Sequence, residues 1–405
     1  MELTQIIANN IVHLLEEQNR TQGELSTYIE VSRQTLANYL KGTSTIDSVR
    51  LVKTAKFFDV PVTQLLEERH IPHSPMLFRT NAKTFDSVES VQRLVFDYIE
   101  HYVHLLSQIG ISSRVFPERY DLFIEHRGEH ININYELYKR PPVKYRIDDQ
   151  LRKEIYSIAD AQRRLLGLNN SGAIELIPAL RNHGINVFFI DFDLTSISGI
   201  SIINEDYGCY IFINSNSSIT VERQLFTVAH ELGHILLHRP LFSQEMNIAM
   251  PSQYLDLLDS MADTFAGRLL CPPEFLNPFK DEFSGVPFRQ ILFNAIKIKQ
   301  KLHVSLQSLI LSLSRYDIID KSTTAEFFDM IRRTHTQTIE PYSIGQNEAL
   351  MDYFNNVKNE FIIELFRDAY LKKQINKDEI ALLLQCSEDN VDQIMYVFDN
   401  IDAFL

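Results

Sequence analysis

Two histidines four residues apart, His230 and His234, bracket a glutamate, Glu231, in the stretch FTVAHELGHILLHRP (226–240). On a helix, positions i and i+4 share one face, so both imidazoles can reach one ion. Imidazole nitrogen is a good ligand for Zn2+, and a catalytic site needs three protein ligands with a fourth place left for water. Glu231 points to the adjacent side, where it can take a proton from that water as the metal lowers its pKa. The chemistry implied is metal-assisted hydrolysis. The competing reading is a buried helix whose histidines only satisfy internal hydrogen bonds. Gly233, inside the motif, permits close approach of a second helix. The run GCYIFINS (208–215) reads as an edge-like strand with which a peptide substrate could pair. Tyr210, Tyr254 and His238 are candidate oxyanion stabilisers, and spacing does not choose among them.

The elements that must hold these residues begin near residue 148. DQLRKEIYSIADAQRRLLGL and GAIELIPALRNHG read as helices, the second stopping at Gly184. INVFFIDF, GISIINE and GCYIFINS are short β-rich runs separated by turn residues. The helix holding the histidines follows, from about Ser218 to His238. Upstream, HIPHSPMLFRTN reads as a linker and RPPVKYR as a second boundary. Between them lies a long amphipathic helix with Val88, Val91, Leu94, Val95, Tyr98 and Tyr102 along one stripe. His101 and His104 lie on it without a carboxylate or cysteine cluster, so they read as surface or packing residues.

A different texture opens the chain. Met1–Glu30 carries four net negative charges, whereas Val31–Lys56 carries four net positive ones, through Arg33, Lys41, Arg50, Lys53 and Lys56 against Asp47. Five short helices are expected. The first has Ile6, Ile7, Ile11, Leu14 and Leu15 on one face. Thr21 with Glu24 makes a capping box for the second. Ser32 caps the third, and Gly42 ends it. TQGELS, VSRQTLANYLKG and LVKTAKFFDV in this order resemble the XRE-type, lambda-repressor-like helix-turn-helix domain over residues 1–68. The resemblance implies that Arg33, Gln34 and Asn38 enter the major groove of a double-stranded DNA operator. Arg suits guanine there, and Gln or Asn suits adenine. It implies phosphate contacts for Gln22, Thr35 and Lys41, and a homodimer, since operators mirror two-fold protein symmetry.

The stretches GINVFFIDF, GISIINEDYGCYIFIN, RQLFTVAHELGHILLH and MADTFAGRLLCPPEFL resemble the ImmA/IrrE family of zinc metallopeptidases. The resemblance implies a small zincin-like domain, cleavage of a repressor protein, and frequent fusion to an XRE domain. Two positions depart from the family pattern. Asp259 stands where the family has Glu, and Cys271 stands in LLCP where the family has Met. The thiol reads as a small buried hydrophobe rather than an oxidant sensor. Three aspartates follow on the next helix. At about 100° per residue, Asp259 borders the apolar stripe Leu258, Met261, Ala262, Phe265 and Leu269 on the side of Ala262 and Ala266. Asp259 is therefore the expected third ligand. Asp263, one turn on, suits a hydrogen bond to a ligand histidine. Asp256 lies at the polar edge. Because Asp is one methylene shorter than Glu, the two helices must approach more closely than in the family pattern, or a water must bridge.

Composition sets the remaining bounds. A chain of 405 residues with 45% apolar content is folded and multidomain. No apolar run is long enough for a membrane helix, so no membrane partner is expected. Cys209, Cys271 and Cys386 show no CxxC spacing, which suits a reducing, cytoplasmic setting. A net charge of −14 means that DNA must be met by a local basic patch. The expected architecture is an all-α helix-turn-helix domain (1–68), a helical linker region (69–147), an α+β zincin-like domain (148–280) and a helical C-terminal region (281–405). In the last, Ser305 can cap a helix of HVSLQSLILSL, and packing is favoured over DNA. The expected function is DNA-binding regulation joined to zinc-dependent proteolysis of a repressor-type protein or of the chain itself. The alternatives are a non-catalytic XRE-family transcription factor, or an antitoxin, whose zincin-like domain senses a ligand or metal.

Overall fold

Residues 185–190, 197–204 and 208–214 alternate apolar side chains to both faces of a sheet, and both faces are covered. The computed structural model describes residues 3–17, 20–66, 77–80, 85–108, 110, 116–126, 129–134, 137, 146–168, 172–204, 208–242, 252–334, 340–372, 375–384, 390–392 and 396. Two units form, Met1–Pro72 and His73–Leu405.

The first unit contains α1 (Leu3–Glu17), α2 (Gln22–Tyr28), α3 (Arg33–Leu40), α4 (Ser48–Phe58) and α5 (Val62–Leu66). Its signals act as the sequence indicates. The Thr21 and Glu24 side chains cap reciprocally, and the Ser32 hydroxyl accepts from Thr35 N. Gly42 follows α3 at φ +65°, a left-handed position that favours glycine. Ile7, Ile11, Leu14 and Leu15 of α1 meet Leu25, Leu36, Leu51 and Phe58 in one core.

The second unit opens with β1 (Leu77–Thr80) and α6 (Phe85–Gln108), then a hairpin of β2 (Phe123–His126) and β3 (Glu129–Asn132). Next come α7 (Asp149–Leu165), α8 (Leu176–Asn182), β4 (Ile185–Ile190), β5 (Ile197–Asn204), β6 (Gly208–Asn214), α9 (Val221–Leu237), α10 (Arg239–Phe242) and α11 (Ser252–Leu270). The sheet order is β1-β5-β6-β4. β4 and β6 run parallel, while β5 is antiparallel to both β6 and β1.

The two-residue period sorts the sheet's side chains. Ile185, Val187, Ile203, Ile211 and Ile213 join a core with Leu225, Val228, Leu232 and Ile235 of α9. Phe188, Ile190, Ile200, Ile202 and Phe212 face the other way, onto Val91, Val95, Tyr98 and Tyr102 of α6 and Ile362 and Phe366 of the helix Glu348–Leu371. Burying each large apolar side chain stabilises the fold by about 1.5–3 kcal/mol, so the sheet is clamped from both faces.

Two expectations are corrected here. The stretch expected as a linker contributes β1 to the sheet and α6 to its core. GCYIFINS is an internal strand, between β5 and β4, with all seven residues of β6 buried. The strand bordering it, β5, is the one whose outer side takes β1. The second boundary at RPPVKYR lies outside the described residues except for Arg146, and Cys386 and the Val88 side chain lie outside them too. Ser305 caps the helix Leu306–Arg315. Among the described residues, no helix is long and apolar enough to cross a membrane.

Candidate metal centre and nucleic-acid interface

Helix α9 starts at Thr220, whose hydroxyl accepts from Arg223 N, and runs between the sheet and α11. That sandwich buries its histidines. At Gly233 the helices touch: a Cβ there would lie 3.1 Å from Ala262 Cα and 3.3 Å from Ala262 Cβ. The missing side chain and the small alanine bring Asp259, almost one turn before Ala262, up to the two imidazoles.

His230 Nε2 and His234 Nε2 lie 3.0 Å apart. Asp259 Oδ1 is 3.5 Å from His234 Nε2 and 4.0 Å from His230 Nε2. A tetrahedral zinc with bonds of about 2.0–2.1 Å places its ligand atoms roughly 3.3 Å apart, close to this triangle. Among the described residues, this is the one cluster of three such side chains with that geometry. Asp259 is 38% exposed while the histidine side chains are almost fully buried, so the cluster opens to solvent on the aspartate side.

The outer ring nitrogens are held as a metal site requires. His230 Nδ1 lies 2.8 Å from Asp263 Oδ1, so it donates there and leaves Nε2 as a lone pair. His234 Nδ1 lies 2.9 Å from His238 Nδ1. With a cation held, His234 must carry its proton on Nδ1 and donate it to His238. His238 is buried, and burial, then the neighbouring His234 and His230, hold its pKa well below the ordinary histidine value. It is a neutral acceptor for its neighbour. Asp256 is exposed and outside the cluster. Elemental analysis therefore serves as a direct check. Asp259→Ala is expected to lose stoichiometric zinc, Asp263→Ala to weaken binding about 10–100-fold, and Asp256→Ala to leave it unchanged. Tight zinc retained by Asp259→Ala would show that the third ligand lies elsewhere.

Glu231 is fully buried beside this cluster. Its Oε2 accepts from Ser201 Oγ at 2.6 Å, while its Oε1 has no hydrogen-bond partner. A Cβ on Gly199 would come within 3.0 Å of that Oε1 and 2.5 Å of Thr227 Cγ2, so glycine keeps the space around the carboxylate open. Ser201 and Gly199, absent from the candidates read in the sequence, line the Glu231 carboxylate. Their signal is a serine and a glycine two apart in an otherwise aliphatic strand, on the face turned to α9.

The oxyanion candidates are placed elsewhere. Tyr210 is buried on the opposite face of the sheet, among Tyr102, Phe188 and Phe212. Tyr254 donates to Ile133 O at 3.1 Å, and His238 is buried against His234. Cys271 is buried, and burial pushes its thiol up to about 12, so it is a packing residue. His101 Nδ1 lies 2.6 Å from Asp97 O, and His104 is exposed.

In the first unit, Arg33 and Gln34 lie on the exposed first turn of α3, with Asn38 one turn beyond Gln34. Gln34 Nε2 donates to Asn38 Oδ1 at 3.3 Å, so the two amides share one face. Gln22 and Lys41 are exposed, while Thr35 is half-buried with its hydroxyl 2.8 Å from Ser32 Oγ. The Ser32 cap places Arg33 at the very start of the helix. Arg33→Ala is expected to weaken binding to a selected operator by about 1–3 kcal/mol, the scale of one bidentate base contact. A titration showing unchanged affinity would remove Arg33 from base readout.

Comparison with known families adds two findings. Residues 13–65 match the helix-turn-helix family model, and residues 180–314 match that of the IrrE N-terminal-like domain. No curated protein matches the chain. The second match spans β4–β6 and α9–α11, and continues through the helix Phe288–Leu302 to residue 314, within the helix Leu306–Arg315.

Proposed function

We propose, for a chain that joins an XRE-type helix-turn-helix domain to an ImmA/IrrE-type peptidase-like domain, that it is a DNA-binding regulator that hydrolyses peptide bonds with zinc. Its substrate is a repressor-type protein or the chain itself. The observation that carries this reading is the unpartnered, fully buried Glu231 Oε1 beside the His230, His234 and Asp259 cluster. A purely structural carboxylate in that position would be costly, since a buried charged oxygen without a hydrogen bond is destabilising.

His230, His234 and Asp259 would hold the zinc, which when bound supplies Lewis acidity to the hydrolytic water and the substrate carbonyl. Glu231 Oε1 takes the water's proton and passes it to the departing amide nitrogen. Ser201, by donating to Oε2, fixes the carboxylate and leaves Oε1 to do this. Asp263 and His238 orient the two imidazoles. The buried walls of α9 and the sheet exclude other water from Glu231.

Purified chain with stoichiometric zinc should cleave a cognate repressor or itself under an inducing condition. Zinc bound stoichiometrically with no cleavage of either would favour a sensor that uses the same cluster for metal alone.

A further inference from the structure

The edge of β5 carries a feature the peptidase reading does not explain. Gly199 and Ser201 face Glu231 from this strand, so β5 borders the catalytic residues. Its other neighbour in the sheet, beyond β6, is β1, which pairs with it antiparallel. An extended peptide that adds to an exposed sheet edge binds in this manner, with main-chain hydrogen bonds giving the affinity. Here the edge is filled by a four-residue piece of the same chain.

The pairing is not regular. Leu77 faces Ser201 and Phe78 faces Ile200, but Thr80 faces Ile197. One residue of β1, Arg79, therefore stands opposite two of β5, Ser198 and Gly199. The regular ladder is interrupted there. Gly199 is also the residue whose missing Cβ leaves room for Glu231 Oε1. The irregularity thus falls at the level of the catalytic carboxylate along the strand.

We propose that Leu77–Thr80 is a substrate segment of this chain bound in cis, and that the centre hydrolyses its own backbone at Arg79. The cut falls at Phe78–Arg79 or Arg79–Thr80. This deepens the peptidase reading and rests on it. The water oxygen adds to the carbonyl carbon, and Glu231 Oε1 accepts the water proton. That proton passes to the amide nitrogen as the C–N bond breaks. One water is consumed, its second proton also ends on the departing nitrogen, and a carboxylate and an ammonium result. Because β1 follows directly on the unit Met1–Pro72, the cut severs the DNA-binding unit from the peptidase unit. Tethering favours this event over any other. A segment on the same chain competes at an effective concentration on the order of millimolar, so a separate protein must first displace β1 to reach the same edge.

The test uses the full chain. Zinc-loaded protein is followed by intact mass and by N-terminal sequencing of the products, over a range of protein concentrations. The expected result is a fragment beginning at Arg79 or Thr80, formed at a rate independent of concentration. It should be absent in Glu231→Gln and slowed about tenfold or more in Phe78→Pro, since proline is poorly tolerated within a paired strand. A second readout needs no turnover. In metal-free Glu231→Gln protein, amide exchange across Ile197–Ser201 should be slow, and Phe78→Pro should speed it without global unfolding. Chain that stays intact while cleaving a repressor-type protein in trans overturns self-cleavage and leaves the peptidase reading standing. Zinc-bound chain that cleaves nothing removes both. A cut elsewhere, or fast exchange across Ile197–Ser201 in the intact chain, overturns the assignment of β1.

Discussion

Glu231→Gln is expected to keep zinc at wild-type stoichiometry and to lower peptide hydrolysis by about 10²–10⁴-fold, the usual contribution of a positioned proton-transfer group. Glu231 is outside the triangle formed by His230 Nε2, His234 Nε2 and Asp259 Oδ1, so the metal loses no ligand. Glutamine has nearly the same shape, and its carbonyl oxygen can still accept from Ser201 Oγ, now 2.6 Å from Glu231 Oε2. What disappears is the basic lone pair on the unpartnered oxygen. The variant should also unfold no earlier than wild type, because a buried carboxylate with one unsatisfied oxygen is replaced by a neutral amide. Metal content by elemental analysis, the thermal midpoint and the cleavage rate separate these effects. Cleavage at the wild-type rate would remove Glu231 as the base, whereas loss of zinc would show that the carboxylate is itself a ligand.

Much of this centre was legible in the sequence because helices report their own geometry. The i, i+4 spacing of His230 and His234 fixes a shared face. The stripe through Leu258, Met261 and Phe265 ranks Asp259, Asp263 and Asp256 around α11, as their placement at the cluster, at His230 Nδ1 and in solvent reflects. The expected close approach of helices occurs at Gly233 and Ala262. Sheet neighbours are another matter, because strand order is a tertiary property. Ser201 meets Glu231 across a separation of 30 residues, which local pattern does not encode. GCYIFINS, expected as an edge-like strand, lies between β5 and β4. Its unbroken apolar run, buried at all seven positions, is instead the pattern of an internal strand. β1 left no pattern at all. LFRT has four residues near two prolines, and only its partner β5 makes it a strand. The α6 stripe shows that a helix is buried, but not that it lies on the face of the sheet away from α9.

The largest stability loss is expected from Lys299→Met, which breaks a buried charge cluster at the start of α9. Lys299 Nζ lies 3.1 Å from Glu222 Oε1 and 2.9 Å from Glu340 Oε1, with the lysine and Glu222 side chains 1% and 0% exposed. Glu222 sits on the first turn of α9 and also accepts from Ile344 N and Ser343 Oγ at 2.8 Å each. Glu340 accepts from Leu306 N at 2.7 Å. One cation therefore joins α9 to the helix Phe288–Leu302 that carries it and to the segment around residues 340–344. Removing one member of such a buried cluster costs about 3–5 kcal/mol, because the others keep their desolvation penalty without their partner. Here two carboxylates would also be left facing each other. The pH dependence gives an independent sign. Burial raises the pKa of Glu340 above the ordinary glutamate value, and Lys299 opposes that rise, so Lys299→Met raises it further. A carboxyl raised in the folded state stabilises most below its unfolded pKa, and that contribution is lost as pH rises through the folded value. The deficit of Lys299→Met should therefore be larger at neutral pH than in mild acid. Adding Glu222→Gln and Glu340→Gln should restore part of it by removing the stranded charges. Denaturant midpoints for the three proteins at two pH values decide the matter. A deficit under about 1 kcal/mol, the scale of an exposed ion pair, would mean that water or a rearranged side chain replaces the lysine, and that these contacts do not hold α9 in place.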